Sequence, residues 1–136
     1  ISLLTTIHSK EFIGRLSVLC GCSIASSIGV TAGIVYMFGG GLAEAEMGIR
    51  TMVADVSGMI CDGAKPGCAL KIATSVSAAM RAAILALSGI GATDRDGIVS
   101  ENVENALHNL GQLGTEGMTG TNQFILDILL RKGQSC

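Results

Sequence analysis

Tryptophan is absent, tyrosine occurs once and phenylalanine three times, so aromatic residues make up only 3% of the chain. That scarcity removes the stacking platforms on which single-stranded nucleic acids lie. Charge is scarce as well, at 15% of residues with a formal net charge of −2, and no basic footprint exists for a phosphate backbone. Low charge beside 49% apolar residues also excludes a disordered tail, which needs the opposite balance. Proline occurs once, so few helices are interrupted by it. Glycine is abundant instead, at 19 of 136 residues, but it follows no three-residue period and collagen is excluded. The length is that of one domain. Abundant Ala, Gly, Ile and Leu point to an all-α fold of about five to six close-packed helices, with the central ones buried. The chain opens on Ile1 rather than Met, and residues 1–136 are read as a single helical domain forming the C-terminal part of a longer polypeptide.

Residues 16–43 carry no formal charge and are long enough to cross a bilayer. Their flanks lack a basic cluster and an aromatic belt. The expectation is a buried core helix, with no membrane partner and no signal peptide.

Residues 12–38 read as one long helix, or two broken near Gly21 or Gly29. Gly39-Gly40-Gly41 is the first clear punctuation. A second helix is expected over 42–60, with Glu44 and Glu46 complementing the dipole in its first turn. A third covers 68–88, apolar on every side and therefore expected inside the protein. Residues 89–97 form a loop with Asp94 and Asp96-Gly97 as turn residues. Ser100 is the expected N-cap of a helix whose buried stripe is Val103, Leu107, Leu110 and Leu113. Gly111, Gly114, Gly117 and Gly120 loosen the chain. Thr121 then caps a last helix burying Phe124, Ile125, Ile128 and Leu129, and Lys132-Gly133 stops it. No segment alternates with period two, so no sheet is expected.

Five cysteines remain: Cys20, Cys22, Cys61, Cys68 and Cys136. Three readings stand side by side. Buried cysteine behaves as a small hydrophobe; disulfides need an oxidising compartment; thiolates from two elements can hold iron–sulfur or zinc. Cys61 and Cys68 bracket the turn-rich segment Asp62-Gly63-Ala64-Lys65-Pro66-Gly67. On a continuous helix Cys20 and Cys22 face different ways, so one of them at most joins that loop.

The run Gly58-Met59-Ile60-Cys61-Asp62-Gly63-Ala64-Lys65-Pro66-Gly67-Cys68-Ala69-Leu70-Lys71-Ile72-Ala73-Thr74 resembles the signature of the bacterial and archaeal L-cysteine desulfidase group. That group is related to the alpha domain of iron–sulfur L-serine dehydratases. Leu19-Cys20-Gly21-Cys22-Ser23-Ile24-Ala25, Asp96-Gly97-Ile98-Val99 and Asn109-Leu110-Gly111 agree with it. The resemblance spans most of residues 10–130 and is specific over 58–77.

The resemblance implies a lyase with an oxygen-sensitive [4Fe–4S] cluster held by three cysteines and no pyridoxal phosphate. The iron without a protein ligand acts as a Lewis acid on the β-substituent of an amino acid. Sulfide leaves from L-cysteine, or water from L-serine; pyruvate and ammonia follow. Carried over by position, the ligands are Cys61, Cys68 and Cys22, with Cys20 as the alternative to Cys22. Cys136 imitates a C-terminal cysteine that reaches the cluster in some relatives, although a frayed tail is the simpler reading.

Lys65 and Lys71 are the catalytic candidates. Lys65 is placed to offset cluster charge or hold a substrate carboxylate. Lys71, alone on an apolar helix, is expected to have a depressed pKa and to serve as a base. Asp62 is otherwise a turn residue, and Arg81 is as ambiguous as Lys71. His8 and His108 are expected at the surface or in caps, and Ser75 and Ser77 to bond back to their helix. The expected partners are a small amino acid, the N-terminal part of the same enzyme and a homo-oligomer. No nucleic acid is expected, and the location is cytoplasmic.

Overall fold

The computed structural model describes residues 1–14 and 17–133. Six α-helices follow one another: α1 Ser2–Ile13, α2 Ile24–Met37, α3 Leu42–Val56, α4 Gly67–Leu87, α5 Val103–Gln112 and α6 Thr119–Gly133. A π-helical turn, Leu113–Gly117, joins α5 to α6. Among the described residues there is no strand, only an isolated antiparallel bridge between Leu19 and Ile60. The fold is all-α, as the composition implies.

Helix α2 is the hub and packs on α1, α3 and α4. Its residues Ile24, Ile28 and Val35 are fully buried, as are Met52 and Val53 of α3 and Leu110 of α5. Small residues let these helices approach closely. On α4 the buried face is Ala78, Ala79, Ala82, Ala83 and Ala86. Gly29 lies where α1 crosses α2, and a Cβ there would strike the Thr6 hydroxyl and the Ser2 carbonyl. It is a contact point within the helix and not the break that its type suggests.

The break falls at the other position named, near Gly21. Gly14, at φ 81°, ends α1, and α2 begins only at Ile24, just after the turn that holds Gly21. Of the two readings of residues 12–38, the one with two helices holds, and the segment between them pairs with Ile60. Helix α1 itself escapes sequence reading because its apolar residues follow no stripe: Leu3, Leu4 and Ile7 stay exposed while Ile13 is buried. Helix α3 stops at Val56 instead of reaching Ile60, which freed residues 59–61 to pair. Asn102, not Ser100, caps α5; its Oδ1 accepts from the Glu104 N–H at 2.8 Å and the Asn105 N–H at 3.2 Å. Glu104 is accordingly in the first turn and Glu101 outside it. The glycines after α5 sustain a π turn instead of loosening the chain.

Two expectations of burial fail. Helix α4 buries its alanine face but exposes Ile72, Val76, Met80 and Ile84, which follow one another at i, i+4 along one side. It is the one described helix long and apolar enough to cross a membrane, with a third of that window buried in the protein. Helix α6 begins at Thr119 and rests chiefly on the π turn, leaving Phe124 62% exposed.

Candidate metal centre

The Leu19–Ile60 bridge brings two distant cysteine segments together. The Cys20 N–H donates to the Met59 carbonyl at 2.9 Å, and the Cys61 N–H donates to the Val18 carbonyl. In an antiparallel pair, residues on either side of the bridged pair share the opposite face. Val18, Cys20, Met59 and Cys61 therefore lie on one face. Cys20 and Cys61 stand diagonally across it, a relation that sets residues about 7–8 Å apart.

Beyond Cys20 the chain turns directly into α2. The Ser23 and Ile24 N–H groups both donate to the Cys20 carbonyl, at 3.0 and 2.7 Å. Cys20-Gly21-Cys22 is thus a turn and not part of a continuous helix, so the argument that helix faces separate the two thiols does not apply. Their surroundings separate them instead. Cys20 is 2% exposed, with Sγ donating to Ser23 Oγ at 3.4 Å, whereas Cys22 is exposed. The Lys10 side chain lies over Gly21, where a Cβ would meet its ammonium group.

Cys61 and Cys68 are both half-buried, and all four described cysteines are free thiols. Gly63 takes φ 95°, a left-handed turn that bends the chain from Asp62 toward α4. Cys68 enters α4 in its first turn, its N–H donating to the Lys65 carbonyl at 2.9 Å and its Sγ to the Gly63 carbonyl at 3.4 Å. Lys65 is exposed in that loop.

Lys71 spans the gap between loop and helix. Its Nζ donates to the Ile60 carbonyl at 2.9 Å and to Asp62 Oδ1, the two residues flanking Cys61. The hydrogen bond that Lys71 donates to Asp62 raises the Lys71 pKa; burial opposes this, and the Asp62, Cys20 and Cys68 charges add to it. The direction is opposite to the one expected of a base on an apolar helix, because the carboxylate outweighs desolvation. Asp62 is correspondingly held below the usual carboxylate range, first by its hydrogen bond from Lys71 and least by Lys132 on α6. Asp62 is more than a turn residue.

The remaining candidates lie apart. Arg81 pairs with Asp55 of α3 at 3.2 Å. His8 has partners that sequence adjacency did not show: its Nε2 meets both Glu104 oxygens at 2.9 Å, and its Nδ1 is 3.6 Å from Glu11. His108 is exposed. Ser77 Oγ bonds back to the Ala73 carbonyl at 3.0 Å, but Ser75 Oγ turns to Met59 Sδ at 3.5 Å. A cleft of about 600 Å³ between α1, α2, α3 and α5, lined by Leu4, His8, Tyr36, Ile49 and Leu107, contains no cysteine. Cys136 lies outside the described residues. Among the described residues no three His, Cys, Asp or Glu side chains stand close enough to hold one metal ion.

The sequence model of the serine dehydratase alpha chain matches residues 1–127. A UPF0597 protein of Oleidesulfovibrio alaskensis is 47% identical over 131 residues, covering 96% of this chain and 30% of the relative. One from Clostridium perfringens is 47% identical over 132 residues, covering 97% of this chain and 31% of the relative. A third, from Bacteroides fragilis, is 42% identical with the same coverage. The chain thus spans about 30% of the length of the curated relatives it matches. No solved structure matches it.

Proposed function

The chain belongs to the serine dehydratase alpha-chain family, and we propose on that premise that it is the cluster-holding part of an iron–sulfur amino-acid lyase acting on L-cysteine. In the reaction, one L-cysteine and one water give pyruvate, ammonia and hydrogen sulfide. The proposed ligands of the [4Fe–4S] cluster are Cys61, Cys68 and Cys22, with Cys20 as the alternative to Cys22. The observation that carries the reading is the tie between segments: the Leu19–Ile60 bridge joins the Cys20 turn to Cys61, and Lys71 joins Cys61 to the helix bearing Cys68.

The donor set fits such a group. All the candidate ligands are thiols, the donors that iron–sulfur clusters take. The same thiols are also zinc donors, and the iron–sulfur reading is preferred on the family match. When bound, the cluster supplies a Lewis-acidic iron that draws charge from the departing β-substituent.

The chain's own residues do the rest of what can be placed. Lys65, exposed in the loop, is offered to the substrate carboxylate. Lys71 is kept cationic by Asp62 and so does not serve as the resting base. The remainder of the family protein is proposed to supply the base and further substrate contacts. Neither pyridoxal phosphate, nucleic acid nor a membrane enters the reading, and the proposed location is cytoplasmic. L-Serine dehydration is the second reading, favoured by the description of the family itself. Anaerobic reconstitution of the full-length protein, followed by pyruvate assay on each amino acid, separates them. Pyruvate with sulfide from cysteine supports the first reading, pyruvate from serine alone the second, and pyruvate from neither overturns both.

A further inference from the structure

Three polar groups of the Lys71 clamp surround one proposed ligand. The ammonium of Lys71 is bonded to the carbonyl just before Cys61 and to the carboxylate just after it. Lys71 stands in α4 three residues, just under one full turn, beyond Cys68. The same short segment is fixed from the other side, since the Cys61 N–H is bonded to Val18 and Ile60 is bridged to Leu19. Residues 60–62 have no helix of their own to hold them; they lie between the end of α3 and the start of α4. Without Lys71, Cys61 would be held by the ladder to Val18 and Leu19, and against α4 only by the weaker sulfur contacts of Cys68 Sγ with the Gly63 carbonyl and of Ser75 Oγ with Met59 Sδ.

We propose that Lys71 is a positioning residue for the metal centre: its two hydrogen bonds lock the backbone around Cys61 against α4, so that Cys61 and Cys68 present their thiols to one group. This rests on the cluster reading above, yet it makes a separate claim about the cluster-free chain. A lysine suits the task because its three rotatable donors reach a carbonyl and a carboxylate together. The Lys71 side chain is 24% exposed and that of Asp62 57%, so the clamp is half-buried at its lysine end and open to water at its carboxylate end. Arg81 is the natural control, because its ion pair with Asp55 also ties α4 to its surroundings without touching the cysteine segments.

The test uses Lys71→Met, Lys71→Arg, Asp62→Asn and Arg81→Met in the full-length protein. The first measurement is hydrogen exchange at the Cys61 amide without cluster. Lys71→Met is expected to speed that exchange at least tenfold, with Arg81→Met within twofold of the parent. The second, after anaerobic reconstitution, is the rate at which a chelator strips iron, followed by visible absorbance. Lys71→Met is expected to lose iron at least tenfold faster, and Lys71→Arg to recover most of the parent's retention. Should Lys71→Met fail to fold, Asp62→Asn carries both measurements, with smaller changes in the same direction. Unchanged exchange and retention in Lys71→Met overturn the proposal, as does equal loss in Arg81→Met. If the parent takes up no iron while Lys71→Met still speeds Cys61 exchange, the cluster reading fails and the clamp stands only as a loop tether, which overturns its metal role.

Discussion

Cys20 and Cys22 stand two residues apart in one turn yet in different surroundings, Cys20 buried against Ser23 and Cys22 exposed. Their substitutions should therefore behave differently. Cys22→Ser is expected to abolish the cluster's visible absorbance and leave the melting curve nearly unchanged. Cys20→Ser is expected to keep the absorbance and lower stability by about 1 kcal/mol or less, because Ser23 Oγ can partner the buried hydroxyl; a urea titration reads it. Absorbance lost in Cys20→Ser and retained in Cys22→Ser reverses the ligand choice. The Asp62–Lys71 pair gives a pH signature. Asp62 has a lowered pKa, so its contribution is present above the unfolded value and is lost as pH falls through the folded one, below about 4. Lys71 has a raised pKa, so its contribution is present below the unfolded value and is lost as pH rises through the folded one, above about 10. The difference in Tm between the parent and Lys71→Met should thus be flat from about pH 5 to 9 and shrink below about pH 4. A difference that keeps growing toward acid contradicts the pairing.

Among the elements, α4 separates what local chemistry reveals from what it hides. Its start was legible in Pro66-Gly67, its stop near Ser88, and the loop before it in Asp62-Gly63, because turn residues act on their immediate neighbours. Its outward face was not legible, because an all-apolar helix gives the same pattern whether or not something covers it. The Leu19–Ile60 bridge was equally silent in the sequence: so short a pairing has no alternation to register, and its partners are far apart along the chain. Lys71 was visible as an exception on an apolar helix, but its carboxylate partner, which raises its pKa where burial alone would lower it, was not. The exposed and buried methionines test this division of α4 from the core. Met80→Gln, on the open face at 42% exposure, should change the stability of this chain by less than about 0.5 kcal/mol. Met52→Ala, at 0%, should cost about 2–5 kcal/mol through lost contacts and a cavity. Urea denaturation measures both, and a loss of 2 kcal/mol or more in Met80→Gln would show that the α4 row is covered.

On the scale of the whole molecule, the helices serve to bring two cysteine segments to one place. Helix α2 starts from the Cys20 turn and is packed on α3 and α4, whose connecting segment carries Cys61; α4 carries Cys68 in its first turn. The family match over residues 1–127 agrees with the resemblance read from residues 58–77, and the chain spans about 30% of the length of the relatives it matches. The central claim is that these cysteines hold one iron–sulfur cluster. It is tested most directly by iron and acid-labile sulfide analysis of the anaerobically reconstituted protein beside Cys61→Ser and Cys68→Ser. The account predicts about four iron and four sulfide per chain in the parent, and loss of both in each variant. Iron and sulfide retained at the parent's level in either variant, or absent from the parent, would contradict it.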